Sequence, residues 1–141
     1  MQNIDLFIDA LNNKNNSTIL NANITFDKIN NDKKLIIDNL FNDENTNNVL
    51  KKLKNYKLID ELPELKYGSY IRWININNQS NIKLTNGGIV CDIKIKDNGL
   101  IITCKNNRNQ LFELNMANNI IFQKLSNQEL ILLSAIEYVN K

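Results

Sequence analysis

The segment Ile89-Val90-Cys91-Asp92-Ile93-Lys94-Ile95-Lys96-Asp97-Asn98-Gly99-Leu100-Ile101-Ile102-Thr103-Cys104-Lys105 decides the fold. Apolar and polar residues alternate with a period of two on both sides of Asn98-Gly99, a dipeptide suited to the positive-φ positions of a tight type I′ turn. With Asn98 and Gly99 as the loop, Ile95 faces Ile102 and Ile93 faces Cys104. Cys91, Ile93, Ile95, Ile102 and Cys104 then share one face, the expected core. The opposite face shows Asp92, Lys94, Lys96, Thr103 and Lys105, with Ile101 as its apolar exception. Cys91 is only diagonal to Cys104 in this register, too far for a comfortable disulfide. Both cysteines read as reduced core residues.

The same period recurs around the hairpin. Tyr67 to Ile76, Gln110 to Leu114 and Ile120 to Gln123 are rich in aromatic and β-branched residues. Five strands between Lys66 and Leu125 predict an α+β protein built on a small SH3-like antiparallel β-barrel with helices on either side. Before Pro63 the period is helical. Ile4, Phe7, Ile8 and Leu11 predict a short helix buried on one face. Asp32 is the expected cap of a second helix burying Leu35, Ile36, Leu40 and Phe41. A third follows Asn42 to Thr46, with Val49, Leu50, Leu53 and Tyr56 inward. Pro63 marks the expected boundary, giving a helical region over 1–63, a barrel over 64–125 and a terminal helix over 126–141. Ser126-Asn127-Gln128-Glu129 is a capping box, with Leu125 and Leu130 placed as a hydrophobic staple. The helix it opens is apolar on several sides and must pack on the barrel, the N-terminal helices or another subunit.

Composition narrows the chemistry. The 141 residues suit one ordinary domain. Asparagine makes up roughly a fifth of them, which follows from AT-rich codon usage and not from a prion-like tract, because the asparagines are interleaved with regular apolar patterns. No N-terminal secretory pattern is apparent, and no apolar run approaches the roughly 20 residues that span a bilayer. There is no histidine, and no set of Asp, Glu, Ser or Cys is spaced for general acid–base or nucleophilic catalysis. Asn86-Gly87-Gly88 is not a phosphate loop, since a strand and not a helix follows it; these glycines allow a bulge or a close backbone approach. No catalytic residue, metal, cofactor or small-molecule substrate is therefore expected.

Charge is uneven. The net +2 arises on the barrel, where residues 64–125 carry 8 basic and 4 acidic side chains. Tyr70, Arg72, Lys83, Lys94, Lys96, Lys105 and Arg108 form the candidate interaction face. Basic and aromatic residues together on a barrel suit single-stranded nucleic acid, which is the alternative function. Asn47, Asn48, Lys51 and Asn55 offer a second nucleic-acid reading on the third helix, against which a solvated helix face is favoured.

Tyr67-Gly68-Ser69-Tyr70-Ile71-Arg72-Trp73-Ile74, Leu84 to Val90, Cys104-Lys105-Asn106 and Ile121-Phe122-Gln123-Lys124 together resemble a small β domain found in proteins of large DNA viruses. The resemblance covers about residues 66–125 and brings no catalytic residues with it. It implies a non-enzymatic structural or protein-interaction component, made in the host cytoplasm and associated with the virion. Its expected partners are other viral proteins or further copies of itself.

Overall fold

The computed structural model describes residues 2–16, 24–60 and 64–139. Among them the chain runs α1 (Gln2–Asn12), α2 (Phe26–Leu40), α3 (Asp43–Lys52), β1 (Tyr56–Ile59), β2 (Tyr70–Asn75), β3 (Gly88–Lys96), β4 (Gly99–Lys105), β5 (Leu111–Asn115), β6 (Asn119–Lys124) and α4 (Asn127–Val139). The boundary expected at Pro63 lies outside the described residues. The strands form one antiparallel sheet in the order β1-β6-β2-β3-β4-β5.

The fold is α+β, but the five-stranded closed barrel becomes an open sheet of six strands. The sixth is β1, in a stretch expected to end a helix. Asn55 takes a left-handed φ of 65° just after α3 ends at its C-cap Leu53, and the chain leaves the helix there. Tyr56 therefore faces the core as expected, but from a strand. Asparagine tolerates this conformation better than most residues.

The hairpin forms with a corrected register. Asp97 and Asn98 occupy the turn, neither with a positive φ, and Gly99 takes φ 126° as the first residue of β4. Ile95 therefore faces Leu100, and Ile93 faces Ile102. A bulge between Val90 and Asp92 then shifts the pairing, so that Val90 faces Cys104 and Cys91 has no partner. The extra residue reverses the alternation. Cys91 is exposed, whereas Cys104 is buried as expected and both thiols are free. Ile95 stays on the inner face but is 80% exposed, because its pair lies near the end of the hairpin.

Two apolar layers lie on opposite sides of the sheet. The inner face gathers Ile59, Ile71, Trp73, Val90, Ile102, Cys104, Leu114 and Ile121, drawing on every strand. On the other side α2 and α3 cover β1, β6 and β2, joining Ile37, Val49 and Leu53 to Tyr56, Ile74 and Phe122. Each fully buried side chain of this size contributes roughly 1.5–3 kcal/mol. Among the described residues no such helical layer covers the outer face of the β3-β4-β5 half.

Helix starts explain two further differences. Thr25 caps α2, its Oγ1 accepting from the Lys28 N–H at 3.2 Å. Asp32 is consequently inside the helix, paired with Lys28 at 3.1 Å. The buried stripe is Ile29, Lys33 and Ile37, and Leu35 is exposed. In α1 the inward residues are Phe7 and Ala10, while Ile4, Ile8 and Leu11 are exposed. The apolar α4 packs on α1 and α2, through Leu132 and Leu133 against Ala10 and Ile29. Its start is the expected capping box: the Glu129 N–H donates to Ser126 Oγ at 3.1 Å, and the Ser126 N–H to Glu129 Oε1 at 3.0 Å. Leu125 and Leu130 lie in the same cluster.

Candidate interaction face

Strand parity brings most of the expected face together. Tyr70, Arg72, Lys94, Lys96 and Lys105 all point away from the inner core, since their neighbours Ile71, Trp73, Ile93 and Cys104 point into it. Lys83 lies in the β2–β3 loop and Arg108 in the β4–β5 turn, so neither belongs to the strand face. Arg72 Nε donates to the Thr85 carbonyl at 2.8 Å, and Tyr70 Oη to the Asn86 carbonyl at 2.6 Å. These two side chains hold the β2–β3 loop against the sheet. At its far end Gly88 pairs with Ile71, and a Cβ there would sit 2.8 Å from the Lys105 carbonyl oxygen. This is the close backbone approach that the glycine pair suggests.

Read across the strands, the outer face is mixed and not basic. One row runs Tyr70, Ile89, Lys105, Leu111. The next runs Asp92, Thr103, Glu113, and a third Lys94, Ile101, Asn115. Asp92 pairs with Lys94 at 3.5 Å, and Glu113 puts a second carboxylate among the lysines. Trp73, the one tryptophan, is in the inner core and not on this face.

The least protected part of this face is the β5 edge, which the sequence reading did not single out. Among the described residues β5 has a ladder partner on one side only. The Asn106 N–H donates to the Gln110 carbonyl at 3.0 Å, closing the turn before it. Antiparallel alternation then directs the N–H and C=O of Phe112 and Leu114 toward β4, and those of Leu111 and Glu113 outward. Leu111 is 66% and Phe112 43% exposed, on opposite faces of the strand. The other edge, β1, has only four residues and carries Lys57, paired with Glu64. Glu64 Oε2 also accepts from the Asp60 N–H at 3.0 Å. A short charged strand of this kind resists pairing.

A second feature missed in the sequence is Gln123, which is buried in β6. Its Oε1 accepts from the Lys66 N–H at 2.8 Å and Ser69 Oγ at 2.7 Å, and its Nε2 donates to the Glu64 carbonyl at 2.8 Å. It pins the chain that enters β2. A cleft of about 870 Å³ adjoins this loop, between Lys66, Tyr67 and the start of α4. Lys66 Nζ pairs there with Glu129 at 3.2 Å. Among the described residues no group of three or more His, Cys, Asp or Glu is placed to hold a metal ion, and no helix is long and apolar enough to cross a membrane. No family model, curated protein or solved structure matches the chain.

Proposed function

We propose that the chain is a non-enzymatic protein-interaction module, a structural component of a large DNA virus, that docks an extended segment of another protein along β5. The observation that carries this reading is the free β5 edge, with outward N–H and C=O groups flanked by the exposed Leu111 and Phe112. Addition of a strand to such an edge draws affinity from main-chain hydrogen bonds and specificity from alternate side chains. The complementary segment places apolar residues beside Leu111 and Phe112, on alternate faces, and a cation or N–H donor beside Glu113. The alternative, nucleic-acid binding by the outer face, is less well supported because Asp92 and Glu113 interrupt its lysines.

Selection of a random peptide display library on the immobilised protein tests the proposal. Extended binders are expected, and Glu113→Pro should abolish their binding, since proline removes an outward N–H without touching the β4 ladder. Glu113→Gln should retain it. Binders indifferent to Glu113→Pro would overturn the edge as the docking site. Tight, steeply salt-dependent binding of a mixed-sequence oligonucleotide, without peptide binding, would favour the alternative.

A further inference from the structure

A groove of about 590 Å³ lies between α2 and α3, remote in sequence from β5. Its lining residues recur at helical spacing along α2, from Phe26 to Lys34, and face Asn47, Leu50 and Lys51 of α3 and Lys54 and Asn55 of the turn that follows it. At 1.5 Å per residue this is a trough about 12 Å long, or two helical turns. Phe26, Ile29 and Leu50 supply an apolar floor, and Lys33, Lys34, Lys51 and Lys54 surround it. No acidic side chain among the described residues lines the groove. Among the described residues none of these four lysines is in an ion pair, although Lys28, Lys57, Lys66 and Lys94 all are. Lys33 is 4% exposed and donates only to the Leu53 carbonyl, at 2.9 Å. The three exposed charges of Lys34, Lys51 and Lys54 around one concavity, with no counter-charge among the described residues that line it, focus a field that attracts an anion.

The complementary surface is present on the same chain. The exposed Ile4, Ile8 and Leu11 of α1 are spaced i, i+4, i+7, covering about 10.5 Å along one helix face. Asp5 and Asp9 stand beside this stripe, and α1 has no basic residue. The adjoining side of α1, through Phe7 and Ala10, packs on α4, and the stripe stays exposed among the described residues without any unfolding. We infer that α1 of a second copy docks in the α2–α3 groove, apolar stripe on the floor and aspartates among the lysines. This is the helix-in-groove mode of recognition. Because stripe and groove are different surfaces, the contact is head-to-tail and builds a ring or an open filament. It does not depend on the β5 edge.

Sedimentation velocity of the full chain against concentration, at low and high salt, tests the inference. The wild type should self-associate, at least about twofold in average mass, and lose most of this at about 0.5 M salt. Asp5→Lys/Asp9→Lys and Lys51→Glu/Lys54→Glu should each be monomeric, with unchanged circular dichroism since all four side chains are exposed. An equimolar mixture of the two variants restores opposite charges at both contacts and should assemble again. A wild type that stays monomeric at low salt, or variants that assemble as the wild type does, would overturn the inference. So would assembly lost in Glu113→Pro but kept in the charge reversals, which would assign it to β5.

Discussion

Lys33 is a buried cation without a carboxylate, and replacing it with methionine gives a signed result. Nζ donates to the Leu53 carbonyl at 2.9 Å, next to the C-terminal end of α3, where a positive charge is favourable. That bond contributes about 1.5–3 kcal/mol, whereas taking an ammonium out of water costs several. The Leu53 carbonyl also accepts the Tyr56 N–H at 3.0 Å, so Lys33→Met leaves no orphaned acceptor. Methionine fills much of the volume of the lysine stem. The variant should gain roughly 1–2 kcal/mol at pH 7. Burial lowers the Lys33 pKa from its ordinary 10.5, and this fixes the pH dependence. Below the folded-state value the cost is present in full. As pH rises through it, native Lys33 loses its proton while the unfolded chain keeps its own until 10.5. Wild-type stability therefore rises relative to the variant across that window, by about 1.36 kcal/mol for each unit of separation between the two pKa values. Urea unfolding of both proteins from neutral to alkaline pH measures the difference directly. A variant more than about 1 kcal/mol less stable at pH 7, or a gap unchanged up to pH 11, would refute the reasoning.

Other outcomes follow from single contacts. Gln123→Leu removes three hydrogen bonds and leaves the Lys66 N–H without its acceptor; a loss of about 2–4 kcal/mol in chemical denaturation is expected. Thiol labelling of native protein should modify the exposed Cys91 quickly and Cys104 only on unfolding, since burial pushes the Cys104 thiol up to about 12. Ser126→Ala removes the acceptor for the Glu129 N–H at the start of α4 and should lower stability by about 0.5–2 kcal/mol in the same assay.

Features encoded by neighbouring residues were legible in the sequence. The capping box at Ser126, the five strands beyond Lys66 and the burial of Cys104 all rest on local spacing. What escaped depended on single residues that change the period. Val49, Leu53 and Tyr56 fit one helical face, and only the left-handed Asn55 separates the last from the helix. The bulge at Cys91 is silent in an alternating pattern, yet it turns that thiol to solvent. The Ile4, Ile8 and Leu11 stripe has the spacing of a buried face, but the side of α1 that packs is decided by α4, more than a hundred residues away. Of the candidate face, hairpin parity assigned Lys94, Lys96 and Lys105 to one side, and the pairing of β2 with β3 adds Tyr70 and Arg72 to it. Which strand would be left at the edge was not readable, because it depends on β6 pairing with β1 and β2.

The central claim, that β5 offers an unpaired edge for an incoming strand, is tested most directly by residue-resolved amide hydrogen exchange. In the free protein the amides of Phe112 and Leu114 should be protected and those of Leu111 and Glu113 should exchange rapidly. Addition of a display-selected extended peptide should protect Leu111 and Glu113. Protection of these two amides in the free monomer, or their continued rapid exchange in the peptide complex, would contradict it.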